Sequence, residues 1–484
     1  MNVRVGTLLL GLFVVPGSLW ADGWPQFRGP GSRGISLDKD LPQEWGPQRN
    51  VRWKVAIPGA GWSSPIVWGD KVFVTTAVST EPVGETAEGR GGGREFGQRQ
   101  GERGGRPQGR PQLQGRPARG SGPEGRQQRY GGGRGGGPPS TVFRWEVYCL
   151  QLDTGEILWR QVAHEDRPRN RTHRSNTYAS ETPVTDGQRI YAYFGMVGLF
   201  CYDLSGELLW KKDTGEYPMR SNWGTASSPV LHEDSIFLQI DHEAESFLLA
   251  LDKKTGDEQW RLPRDEGSNW STPVIWKNSR RTELVTTGMV TRSYDPETGK
   301  LLWSLNMGGG RSSSSAAGDN DLLYLGTEAR GRPGSDSSGG TLFAVKAGAS
   351  GDVTPEPGVR ASAGVSWSQP GAGPAMASPL VYEGYVYILD RRRGAVSCYD
   401  AKTGAIAYQN QRLNGASAFW ASPWGNRGKI FCLDETGSVY VLAPGPELKV
   451  LARNTLSEKF WASPAMTSGA ILLRGVNHVY CVAM

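Results

Sequence analysis

The feature that most constrains this chain is a turn that it writes repeatedly with fixed spacing, D-x-x-T-G-x-x-x-W. It occurs as Asp252 to Trp260, as Asp295 to Trp303 and, with a terminal Tyr, as Asp400 to Tyr408. Shortened forms are Asp153-Thr154-Gly155 with Trp159 and Asp203 to Gly206 with Trp210. The Asp side chain suits hydrogen bonding to its own backbone, and the Gly suits positive φ. Around the most complete copy, residues 227–262 read as four short strands: Pro-Val-Leu, Ser235 to Ile240, Ser246 to Leu251 and Glu258 to Leu262. Each first strand opens with small residues before a Pro, at Pro65, Pro183, Pro229, Pro273, Pro379, Pro423 and Pro464. Ser315 takes the Pro place in the fifth unit, which makes eight units, most of them 41–46 residues apart. Four strands at that period predict the blades of a β-propeller.

A single blade cannot bury both faces, so the ring must close. The eighth unit stops after its third strand, at Cys481 to Met484. Trp53 precedes Pro65 by twelve residues, as Trp303 precedes Ser315. The expectation is therefore an all-β, eight-bladed propeller of four-stranded antiparallel blades, closed by an N-terminal strand that completes the last blade. Helical periodicity is not evident after the leader. The propeller spans 53–484, preceded by an extension over 22–52.

The full match A-x-D-x-x-T-G-x-x-x-W at Ala250 to Trp260 resembles the tryptophan-docking motif of the PQQ-like (pyrroloquinoline-quinone repeat) propellers, from about Trp53 to Met484. Trp24-Pro25-Gln26-Phe27-Arg28-Gly29-Pro30 is similar to the opening of secreted bacterial PQQ-binding-like repeat proteins. The same fold resembles both the outer-membrane assembly propeller lipoprotein and the propeller of quinoprotein dehydrogenases, so it implies architecture more than activity.

Met1 to Ala21, with one Arg and an apolar run from Val5 to Val15, reads as a secretory signal peptide. No Cys lies near its end to carry a lipid, and a periplasmic or extracellular protein is expected. Residues 79–140 hold 20 Gly, 11 Arg and 6 Glu, a net charge of +5 out of +6 for the chain. This composition predicts a disordered insertion between the second and third strands of blade one. Such tracts bind RNA or anionic surfaces, or stay solvated. The propeller body, left near neutral, is not a nucleic-acid binder on charge grounds.

The five cysteines lack metal-ligand or C-x-x-C spacing. Cys149, Cys201, Cys398 and Cys481 fall at equivalent third-strand positions and read, with Cys432, as buried apolar side chains. His164-Glu165-Asp166 is expected in a solvated loop. No G-x-S-x-G or phosphate loop appears.

Three positions before each Pro the chain carries Trp62, Ser180, Ala226, Trp270, Ser312, Met376, Trp420 and Trp461. These residues are expected to ring one mouth of the axial funnel, although in repeat folds such aromatics also pack between blades. The candidate binding residues are Trp62, Trp270, Trp420 and Trp461, with Arg311 and Arg392 beside them. The expectation is a monomeric binding or scaffolding module for a protein or envelope-polymer partner, without a membrane span. The alternative that the resemblance implies is an alcohol or sugar oxidoreductase using pyrroloquinoline quinone and calcium. Glu181, Asp241, Glu328 and Asn176 are the available oxygens for that ion. The adjacent-cysteine ring and haem attachment motif of those enzymes are missing, and no cofactor is expected.

Overall fold

The computed structural model describes residues 23–81, 139–328 and 340–484. The expected leader, Met1 to Ala21, and nearly all of the Gly/Arg-rich insertion lie outside them. The described residues form eight sheets, each built on four antiparallel strands, in sequence order in every sheet except the one that Val51–Ala56 joins. Among them, no helix is long and apolar enough to cross a membrane.

The repeated turn behaves as its chemistry requires. Asp252 Oδ1 accepts the N–H groups of Lys254 and Thr255 at 2.7 and 2.9 Å. Gly256 sits at φ 77°, and a Cβ there would stand 2.7 Å from the ring of Trp210 in the preceding blade. The motif thus couples blades: Trp53, Trp159, Trp210, Trp260 and Trp367 each lie on the next blade's turn glycine, where no side chain obstructs them. On its own sheet the same Trp faces a small third-strand residue, Ala250 opposite Trp260 and Cys149 opposite Trp159. The cysteines at these places are therefore alanine-like packing residues, and all five are free and buried.

Closure follows the same rule. Val51–Ala56 pairs with His478–Ala483, with Trp53 opposite Cys481. The Trp53 indole donates to Leu152 O at 2.8 Å, and its ring covers Gly155 of blade one. The N-terminal strand is the fourth strand of blade eight.

Three details differ from the sequence reading. Ser315 occupies the Ser/Thr place before the Pro rather than the Pro place itself, since its hydroxyl takes the Thr272 N–H as Thr272 takes that of Ser228. Ala316 therefore stands in for Pro, and Ser313 replaces Ser312 in the mouth series. His164, Glu165 and Asp166 belong to a ten-residue strand, Ile157–Asp166, because blade one extends its outer strands. His164 packs on Trp145. Finally, Gly351–Asp352 adds a parallel fifth strand to blade four.

The extension before Val51 has a defined course. Gly23–Trp24 pairs with the far end of the first strand of blade one, and Pro25 O accepts the Thr185 N–H in blade two. Buried Arg28 donates to Pro379 O at 2.5 Å, and Ile35 bridges to Gly425 in blade seven. The segment is a strap over the face opposite the Trp mouth.

Candidate functional site

The start of each first strand is held near the axis by a crown of hydrogen bonds. The backbone N–H of Ser64 donates to Thr182 Oγ1, that of Thr182 to Ser228 Oγ, and the pattern passes blade by blade through Thr272, Ser315, Ser378 and Ser422 to Ser463, at 2.9–3.1 Å. One small hydroxyl residue per blade satisfies the neighbour's N–H where eight strands converge and larger side chains would collide. Each hydroxyl keeps its own proton for another acceptor.

Two residues earlier on each strand, side chains turn into a cavity of about 220 Å3. With the corrected register, all eight positions of the series line it: Trp62, Ser180, Ala226, Trp270, Ser313, Met376, Trp420 and Trp461. Seven crown residues, Ser64, Thr182, Ser228, Thr272, Ser315, Ser422 and Ser463, also line it, as does Phe27 of the strap.

The indoles form two walls. Trp461 stacks on Trp420 at 5.1 Å and touches Trp62 at 4.5 Å, joining blades seven, eight and one. Half a ring away, Trp270 meets Trp223 at 5.8 Å, and His173 stacks on Trp223 at 5.2 Å. Trp270 donates to Gly224 O and Trp420 to Glu435, which fixes both rings. The indole N–H groups of Trp62 and Trp461 have no acceptor among the described residues.

The cationic residues are placed differently from the sequence expectation. Arg311 does not line the cavity; it lies 3.4 Å from Glu243. Arg392 has a side chain 72% exposed and also stands outside. The arginine in the wall is Arg391, which bonds Glu328 at 3.0 Å and lies over the Trp420 ring. Sequence reasoning missed Phe27, and of Arg391, Arg392 and Arg393 on the mouth side it chose Arg392 rather than Arg391. The hydroxyl crown was visible only as a recurrent small residue before Pro.

The four oxygens considered for calcium do not converge. Asp241 is committed to Arg264 at 2.8 Å, and Glu328 to Arg391. The Asn176 amide donates to Trp223 O and Thr225 O. Glu181 is buried with one oxygen unpartnered. Among the described residues, no three His, Cys, Asp or Glu side chains are grouped to hold a metal ion. Pyrroloquinoline quinone is a polyanion, and the wall offers it one arginine already paired with a carboxylate. The residues present do not fit that cofactor with calcium.

Burial pushes the Glu181 carboxyl up to about 7, against a lowering hydrogen bond from Thr225. The folded chain therefore keeps a proton that the unfolded chain has released. Between the ordinary value of 4.5 and about 7, stability should fall as pH rises, by at most about 1.4 kcal/mol per pH unit. Glu181→Gln should flatten that slope in denaturant titrations run from pH 5 to 8; an unchanged slope assigns it to another group.

This geometry defines a PQQ-like propeller with an aromatic axial well. The family model for the outer membrane protein assembly factor BamB matches residues 144–282 and 286–444, and the chain belongs to that family. Among solved structures, the quinohemoprotein alcohol dehydrogenase of Comamonas testosteroni matches with a TM-score of 0.60 at 11% identity, covering 98% of this chain and 82% of its own. Quinohemoprotein alcohol dehydrogenase ADHIIG of Pseudomonas putida HK5 gives 0.56 at 12% identity, covering 95% and 80%. BamB of Moraxella catarrhalis gives 0.48 at 12%, covering 71% and 95%. At these identities the likeness is one of fold. No curated protein matches the sequence.

Proposed function

We propose that this chain is an exported binding module that holds a protein or cell-envelope polymer partner in the Trp-lined mouth of its propeller. The observation that carries the reading is the assembly of Trp62, Trp270, Trp420 and Trp461 into one open cavity. Buried as packing between blades, these rings would support only the fold. Facing a solvent-open well, they offer large rigid contact area at low entropic cost, as recognition sites do. Export rests on the leader-like Met1 to Ala21 and on membership of a family described by an outer-membrane assembly factor. A scaffolding role outside the cytoplasm fits both.

Capture from a cell-envelope extract tests the reading. Wild-type protein should retain a partner, and the Trp420→Ala, Trp461→Ala double variant should lose at least tenfold of it while melting cooperatively. Equal capture by the two proteins removes the funnel from the interaction.

A further inference from the structure

We infer that the axial well receives the terminal residue of a neutral polysaccharide, which makes the envelope partner a glycan. The inference rests on the well being the binding site, as proposed above, and specifies its guest from the chemistry of the walls.

The well has three layers. At the mouth, the Trp420–Trp461–Trp62 wall faces the Trp223–Trp270 wall across the ring. Beneath them lies the crown of serine and threonine hydroxyls, and Phe27 of the strap also enters the lining. A guest must therefore show apolar faces to two indole walls and polar groups to the layer below. A pyranose does both: its axial C–H groups form flat apolar patches that pack on aromatic rings, while its hydroxyls project around the edge.

The crown decides against other flat guests. From Thr182 round to Ser463, seven crown oxygens each accept one backbone N–H, so each retains a proton to donate and one further lone pair. Sugar hydroxyls are likewise donors and acceptors together. An aromatic side chain of a partner peptide would fill the same space and leave the crown facing hydrocarbon, with its hydroxyls desolvated and unpaired. Charge decides against an anion. Among the described residues the only charged lining side chain is Arg391, which is neutralised by Glu328. A uronic acid or phosphate lodged above the crown would lose water without gaining a counter-charge.

With Phe27 of the strap in the lining, a chain end rather than a threaded chain is the proposed guest. The segment before the propeller thereby becomes part of the site, with Phe27 as the surface under the terminal sugar.

The test uses the full chain with cellotetraose, maltotetraose, mannotetraose and galactotetraose as neutral probes and tetragalacturonate as the acidic one. Binding is read by tryptophan emission and by saturation-transfer NMR. At least one neutral probe should bind saturably, and tetragalacturonate at least tenfold more weakly. Trp270→Ala should weaken the neutral probe at least tenfold. Phe27→Ala, checked for cooperative melting, should reduce saturation transfer to the terminal residue selectively. Failure of all four neutral probes, or equal binding of the acidic one, overturns the inference. Envelope capture that depends on Trp420 and Trp461 yet is not competed by any neutral probe leaves the funnel as the binding site and removes the glycan from it.

Discussion

Deleting Val51–Ala56 is expected to abolish cooperative folding of the whole propeller, and Trp53→Ala alone to cost about 3–5 kcal/mol. The strand supplies the fourth strand of blade eight, and its indole covers Gly155 of blade one. Without it the edge at His478–Ala483 is bare, and blades eight and one lose the seam that makes a row of sheets into a ring. Bare sheet edges pair with other chains, so the deletion should yield aggregating protein with no sharp thermal transition. Trp53→Phe, which keeps a ring but loses the bond to Leu152 O, should fall between. A deletion variant that melts as sharply as wild type, at the same temperature, would falsify closure by this strand.

Asp241→Ala should be the most damaging single change in blade three, at about 3–5 kcal/mol. The Arg264 and Asp241 side chains are 0% and 1% exposed, in a two-point contact at 2.8 and 3.2 Å. Gln239 and Asn269 donate to the same carboxylate. Removing it leaves a buried guanidinium without its counter-charge and takes one acceptor from each of two amides. Replacing both ionic partners, Asp241→Leu with Arg264→Met, should recover most of the loss, because the desolvation cost of the pair disappears with its attraction. Chemical denaturation of the two variants checks this; a single-variant loss under about 1 kcal/mol would mean that water reaches the pair.

Asp241 also shows why site reading from this sequence went only part of the way. In the chain it is an acidic residue beside the loops of the mouth face, a plausible cation ligand. Its partner Arg264 lies 23 residues on, at a distance no repeat signature announces. Glu328 and Arg391 meet across 63 residues in the same manner. Arg392 and Arg391 are neighbours in sequence, yet only Arg391 turns to the well, because a turn at Asp390 separates their directions. The tryptophans were legible because the repeat fixes their offset from each first strand. The single misplacement, Ser312 for Ser313, came from the one unit that lacks a Pro.

The sequence alone determined the number of blades, the strand order within them, the seam that closes the ring and the four tryptophans at its mouth. All of these are local patterns repeated at one period, and a repeat can bury its faces only by stacking on copies of itself. Tertiary structure alone decided that Phe27 of the strap joins the lining of the well, that hydroxyls crown its neck, and that the charged candidates are spent on one another. Those properties depend on where distant segments meet once the ring has closed. The strap that carries Phe27 from blades one and two to six and seven has no counterpart in the repeat to predict it.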